Sequence, residues 1–356
     1  DSVMKRRSFL HTAGSAVGAG AVTSCTLPKV SADVADPVNV VQGITRRKLG
    51  RTGAKVSIVG YPGFALQHED QQACTASLRR AFDNGVNYFD VAPAYAKGLC
   101  ENRMGVGLQG VPRDQYFLSC KTKMRDKKGA REELDRSLQR LKTDHFDLYQ
   151  LHCLIKPEEV TQALGPGGAM ETIVEAQKQG KIKHIGFSSH TTRAAMHALR
   201  NFKFDTVMFP INFVEYYTIG YGKAVLAEAK AQGAAVLAIK GMSYGSWPEG
   251  ADPTRKWWYR TLEEPEMINL GLRFTLSQEP VVTAIPPAWL DLADKAIKEV
   301  KTYRQATDED LDRCRKLAAD CQSVFQEVEQ STTNKVSRSG PHAPNNPDEY
   351  PPCMFA

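Results

Sequence analysis

Beyond its opening segment, this 356-residue chain has no apolar run long enough to cross a bilayer. It has no disulfide framework: eight cysteines are spread over a large chain, and Cys314 and Cys321 fall on one helical pattern. Buried free thiols are the expectation. Nor is there a dense basic patch. Lysines and arginines number 46 against 40 acidic residues, for a net charge of +6, and they are scattered. Arg46–Lys48 and Lys181–Lys183 are the only small clusters beside elements, a pattern that speaks for a solvated surface and against nucleic acid as partner. No Gly-x-Gly-x-x-Gly turn follows an early strand, which counts against a doubly wound dinucleotide fold. No metal-ligand spacing recurs: His184 precedes its strand, so His152, His184 and His190 do not read as a metal site. What is present, 42% hydrophobic and 24% charged residues, suits a globular protein with one large α/β domain or two small ones.

The amino terminus is patterned. Lys5-Arg-Arg-Ser-Phe-Leu10 leads into a weakly apolar, Gly/Ala-rich run from Thr12 to Ser24. Twin arginines, then Phe-Leu, then a mild apolar run resemble a twin-arginine export signal, and the run is too short to span a membrane. A disordered basic leader is the alternative. Val30-Ser-Ala32 offers a small-x-small cleavage site, and Val22-Thr-Ser-Cys25 resembles a lipobox that would place lipid on Cys25. The expectation is an exported, periplasmic protein, a client of the twin-arginine translocase, anchored through Cys25 or cut after Ala32. Such clients cross the membrane folded, so their thiols form in a reducing cytosol.

Asp33 to Gly43 reads as a polar linker, and Arg47 to Ser57 as a β-hairpin whose turn Gly50 and Gly53 bracket. From there short apolar runs alternate with helical periodicity, the signature of βα units and a parallel sheet. The runs are 56–60, 86–89, 116–120, 146–151, 183–187, 206–211, 235–239 and 281–285. The helical stretches are 71–84, 101–108, 131–142, 169–179, 193–201, 221–232, 265–277 and 290–303. About eight units in roughly 290 residues match a (β/α)8 TIM barrel. A long Trp- and Gly-rich loop, Met242–Pro265, and one extra terminal helix, Asp308–Gln330, are additions to it. The chain thus divides into a leader and linker (1–36), a barrel (37–330) and a Pro/Asn/Ser-rich tail (331–356) expected to be disordered.

Three of the runs end in polar residues. Val86–Phe89 delivers Asp90, after which a Pro-containing loop presents Tyr95 with Glu101 following; Tyr116–Cys120 delivers Lys121; Phe146–Leu151 delivers His152. At the C-terminal ends of neighbouring parallel strands, these four share one mouth of a barrel. Singly, each has an ordinary role: a turn aspartate, a surface lysine, a core histidine, a packing tyrosine. Their joint order, one βα unit apart, is what points to chemistry. Tyrosine, with a pKa of about 10, is a reluctant acid. Lys121 beside Tyr95 would favour the phenolate, Asp90 would hold Lys121 charged, and His152 would orient a substrate oxygen. Cys120 and Cys153 adjoin the set, but strand alternation points them away from the lumen.

These residues resemble the catalytic tetrad of the aldo-keto reductases, and all four positions match. The resemblance covers about Arg46 to Tyr303, and its opening hairpin is similar to the one that plugs the barrel floor in that family. It implies a hydride transfer between a nicotinamide cofactor, NADP or NAD, and a small-molecule carbonyl or alcohol substrate. The family holds the carboxamide with a Ser-Asn pair after the fifth strand; here Ser188 is kept, Ser189 replaces the Asn, and His190 is added. After the sixth strand, Met208 and Ile211 stand where a Gln and a stacking Tyr are usual, with Asn212 retained. Lys240, Gly241 and Met242 fit the phosphate-contacting loop after the seventh strand. Ile285–Asp291 lacks the Lys or Arg that family members use for the 2′-phosphate, which opens NAD as the cofactor. The resemblance places the substrate pocket among Phe64–His68, Cys153–Lys156 and Met242–Trp258. Trp247, Trp257 and Trp258 would stack on a sugar or aromatic ring, or only pin their loop. Two other readings stay open: Schiff-base lyase chemistry at Lys121, and a non-catalytic binding barrel at the cell envelope.

Overall fold

The computed structural model describes residues 39–332; the leader with Cys25, its cleavage site and most of the C-terminal tail lie outside them. The described chain begins with a small antiparallel sheet of β1 (Asn39–Val41), β2 (Ile44–Lys48) and β3 (Lys55–Ser57). β2 and β3 form the expected hairpin, turned by a 3-10 segment at Gly50–Thr52. β1 corrects the linker reading: Val40 and Val41 pair with Thr45 and Ile44 of β2 despite the polar surroundings.

Eight parallel strands follow: β4 (Tyr61–Pro62), β5 (Tyr88–Asp90), β6 (Phe117–Thr122), β7 (Phe146–Leu154), β8 (Ile182–Ser189), β9 (Thr206–Pro210), β10 (Ala235–Ile239) and β11 (Val281–Ile285). They lie side by side in chain order. The ring closes where Gly60 N–H donates to Ala284 O (3.0 Å) and Ala284 N–H donates to Ile58 O (2.9 Å). This is a (β/α)8 barrel. The first barrel strand starts later than the apolar run 56–60 because Ser57 and Val56 are engaged in the hairpin.

Helices α1 (Gln71–Asp83), α2 (Leu99–Gly107), α3 (Lys127–Leu141), α4 (Pro157–Leu164), α5 (Ala169–Lys178) and α6 (Thr192–Asn201) connect the earlier strands. Helices α7 (Phe213–Thr218), α8 (Lys223–Gln232), α9 (Pro265–Leu276) and α10 (Leu290–Val300) serve the rest. The short α4 and α7 are additions that apolar periodicity does not show. α3 illustrates how sequence makes an element. Asp126 caps it by accepting from Gly129 N–H at 2.8 Å, and Ala130, Leu134, Leu138 and Leu141 recur at helical spacing and are buried. Each such leucine contributes about 1.5–3 kcal/mol.

Inside the barrel, Tyr88, Phe117, Leu148, Met208 and Leu237 form an apolar layer, floored by Leu49 and Val56 from the hairpin. This layer is apolar, and the polar strand-end residues lie at the other end.

The expected single terminal helix is two: α11 (Asp308–Ala319) and α12 (Gln326–Ser331). At the break, the buried Glu215 accepts from the Ser323 hydroxyl and from Val324 N–H (2.8 Å), and Phe325 enters a buried aromatic stack. An unbroken helix would forgo both. Among the described residues, no helix is long and apolar enough to cross a membrane, and every cysteine is free.

Candidate active site

Asp90 closes β5, Lys121 and His152 stand one and two residues before the ends of β6 and β7, all three are buried, and the loop after β5 brings Tyr95 over them. That loop is tightly constrained. Tyr95 N–H donates to Ala92 O (3.0 Å), and Ala96, Lys97 and Gly98 are all left-handed, at φ 49°, 56° and 86°. Non-glycine residues at such angles persist only where surrounding structure enforces them. At Gly98, a Cβ would run into the Arg140 guanidinium, which in turn donates to the buried Glu101 at 3.1 Å. Glu101 thus anchors the loop from behind and takes no place among the reacting groups.

The Lys121 ammonium has three donors and three acceptors around it. Asp90 Oδ2 lies at 2.5 Å, Val91 O at 3.1 Å and Tyr95 Oη at 3.2 Å. The His152 ring meets Tyr95 edge to face, centroids 5.6 Å apart. Burial pushes the Asp90 carboxyl up, and the Lys121 charge and hydrogen bond pull it back down. Burial, followed by the Lys121 charge, holds His152 well below the ordinary histidine range, so its ring is neutral. His152 Nδ1 is buried with no hydrogen-bond partner.

Tyr95, His152 and Asp90 line a pocket together with Ser188, His190, Met208, Ile239, Lys240, Trp257 and Tyr259. Of the residues the sequence marks for the cofactor, Ser188 and Lys240 are on this wall. Ser188 Oγ also accepts from Cys153 N–H at 2.7 Å. Ser189, Asn212, Gly241 and Met242 do not line it. The Ser189 hydroxyl donates to Leu154 O (2.7 Å), with Thr191 O as the alternative acceptor at 3.0 Å, Asn212 caps α7 through Glu215 N–H (3.0 Å), Gly241 lies near Thr275, and Met242 is in the core. Met208 faces the pocket as expected, whereas Ile211 is core and Ile239 takes its place.

Cys120 points away from the lumen, its Sγ 3.6 Å from Glu101. Cys153 departs from the expectation. β7 bulges between Leu151 and Leu154, Cys153 sits at φ 58°, and its Sγ is 3.2 Å from Nδ1 of the pocket residue His190. Strand alternation does not survive a bulge. Phe64 and Trp257 join the wall from two of the expected loops, while Trp247 Nε1 donates to Trp257 O (2.7 Å) and so pins its loop. Tyr259 and Pro286–Ala288 also line the pocket; the sequence marks their stretches only as an added loop (Met242–Pro265) and as a segment without Lys or Arg (Ile285–Asp291), with no pocket role for the residues themselves. A nicotinamide ring fits this site: Met208, Ile239 and Ile285 give an aliphatic face and Ser188 a polar contact for the amide. At the neighbouring strand end, buried Asn212 Nδ2 has no partner.

The family model described as Aldo/keto reductase family matches residues 60–245. The chain is 30% identical to L-galactose dehydrogenase of Arabidopsis thaliana, over 59% of this chain and 69% of that protein. It is 27% identical to D-threo-aldose 1-dehydrogenase of a Pseudomonas species, over 49% of this chain and 59% of that one, under two thirds of its length. Among solved structures, an aldo-keto reductase of Bacillus halodurans in its holo form superposes with a TM-score of 0.64 at 21% identity, covering 80% of this chain and 99% of that one. One from Klebsiella pneumoniae in complex with NADPH gives 0.59 at 20% identity, covering 77% and 94%. These likenesses show the barrel.

Proposed function

The chain belongs to the aldo/keto reductase family and is an NAD(P)-dependent oxidoreductase, and we propose that it interconverts a carbonyl and an alcohol with the Tyr95 hydroxyl as proton donor. When bound, the nicotinamide supplies the hydride in reduction or accepts it in oxidation. The chain itself handles the proton and the charge. In reduction Tyr95 Oη protonates the oxygen that becomes the alcohol, and the phenolate left behind lies 3.2 Å from the Lys121 ammonium. Asp90 keeps that ammonium in place. In oxidation the same proton returns to the phenolate. Neutral His152 donates to the substrate oxygen and brings no second cation beside Lys121.

The three acceptors around Lys121 Nζ carry this reading. They also weigh against a Schiff base, which needs a neutral amine rather than an ammonium held by a carboxylate. The test is Tyr95→Phe: kcat/KM falls by about 10²–10⁴-fold while NADH or NADPH binding, followed by fluorescence, persists. A variant as active as the wild type would overturn the assignment, as would a wild type that binds neither cofactor.

The names of the two relatives suggest a sugar-like substrate. The wall supports that: Trp257 and Tyr259 offer aromatic faces and Ser188 a hydroxyl, as a polyhydroxylated ring requires. The leader supports a last part of the proposal, that the folded, cofactor-loaded enzyme passes through the twin-arginine translocase to the periplasm, with Cys25 lipidated or the leader cut after Ala32.

A further inference from the structure

The arginines of the floor hairpin are used very differently. Arg47 donates to Leu276 O at 2.7 Å, Val281 O at 2.8 Å and Tyr303 Oη at 2.8 Å. Arg51 pairs with Asp205 at 3.0 Å and donates to Gln232 O at 3.0 Å. Arg46, in the middle of β2 and on the face opposite Arg47, makes no side-chain hydrogen bond or ion pair with the described residues. Its Nε is nonetheless buried. Burial pulls the guanidinium pKa down, and no carboxylate lies near enough to raise it again. A half-buried cation with an orphaned donor costs stability, and Arg46 gives the fold no polar contact in return.

That guanidinium lines a recess of about 680 Å³ between the hairpin, the end of α1 and the start of β6, within the range that small-molecule sites occupy. Val41, Phe82, Tyr116 and Phe117 give it an apolar wall, and Lys55 is a second cation on it. The recess lies at the N-terminal ends of β5 and β6 and shares no lining residue with the reaction pocket at their C-terminal ends. Three carboxylates also face it. Asp147 is neutralised by Arg113 at 2.7 Å and Lys183 at 2.8 Å, and Asp83 and Asp114 are exposed, where water screens their charge.

We propose that this recess binds a small organic monocarboxylate with an apolar body, held by Arg46, at a site separate from the reaction pocket. The planar fork of a guanidinium matches the two oxygens of a carboxylate. Arg46 has that fork unengaged by the protein, beside a wall that suits a hydrocarbon or aromatic body. Inorganic phosphate matches the charge but has no apolar part to meet Phe82, Tyr116 and Phe117.

The experiment uses the full-length enzyme and benzoate, with benzamide as the neutral match and inorganic phosphate as the second anion. In calorimetry benzoate binds about tenfold or more tighter than benzamide, the effect of one charge-assisted pair, and more tightly than phosphate. Arg46→Met brings benzoate down to the level of benzamide, and Arg46→Lys, which keeps the charge without the fork, retains part of the difference. Both variants keep wild-type kcat/KM, since Arg46 is remote from Tyr95. Crystals soaked in para-iodobenzoate show the iodine beside Phe82 and Tyr116. Benzoate that binds Arg46→Met as tightly as the wild type overturns the proposal, and so does a wild type that gives no heat with benzoate. Phosphate binding more tightly than benzoate, or iodine found only at the barrel mouth, overturns it as well. If Arg46→Met does not fold, Arg46→Lys and the iodine position decide.

Discussion

His152 shows how one buried residue sets a pH dependence. Burial and the Lys121 ammonium depress its folded-state pKa well below the ordinary value of about 6.5 that holds in the unfolded chain. Below that value the unfolded state takes up a proton that the folded state refuses, so stability falls as pH falls, by at most about 1.4 kcal/mol per pH unit. The raised carboxylates of Asp90, Glu101, Glu133 and Glu215 act in the opposite direction, adding stability as pH falls toward their unfolded values. The His152 part is isolated by difference. Urea midpoints of wild type and His152→Gln, measured from pH 7 to pH 5.5, are expected to converge as pH drops, and a constant gap would show that the ring titrates normally. At this scale the tetrad was legible, because three polar residues each closed an apolar run and Tyr95 followed in the loop after the first of them. His190 was visible only as an extra residue after Ser189; its pairing with Cys153 follows from a bulge in β7 that no spacing encodes.

The segment from 320 to 332 is an element that owes its shape to its partners. Glu215, fully buried in the first turn of α7, accepts from Ser323 and Val324, and Glu329 accepts from Thr192 N–H at 2.5 Å. Phe325 then packs between Tyr221 and His190 with its face and against Trp258 edge-on. Replacing Glu215 by Ala removes a charged acceptor from two donors. Hydrogen exchange of the amides in 320–332 is expected to accelerate by about 10–100-fold, with β5 to β8 unchanged. Equal protection in the variant would mean that the aromatic stack alone holds the segment. Helical periodicity in Asp308–Gln330 gave no hint of this break, since the groups that cause it, Glu215 and Tyr221, lie about a hundred residues upstream.

Across the whole molecule the two ends of the barrel are chemically opposite. At the floor the hairpin seals the lumen with Leu49 and Val56, and Arg47 fastens it by donating to Leu276 O (2.7 Å) and Val281 O (2.8 Å). At the mouth, charge is gathered and buried. A body that carries so much preorganised polar structure, and a nicotinamide with it, suits export in the folded state. Fractionation is expected to find the protein in the periplasm or on its membrane face, and Arg6→Lys with Arg7→Lys to retain it in the cytoplasm. Unchanged distribution of that double variant would remove the twin-arginine part of the proposal.

Composition and periodicity by themselves determined the barrel, its order of units and the four residues at one rim, because a parallel strand is a short apolar run and its C-terminal end is where polar residues can gather. Only the tertiary structure decided that Lys240 shares the cavity of Tyr95, that Ser189 and Asn212 are committed to backbone neighbours, and that β1 exists at all. Those outcomes depend on which distant groups meet across the barrel mouth or on an added edge, and a linear pattern of hydropathy contains no record of such meetings.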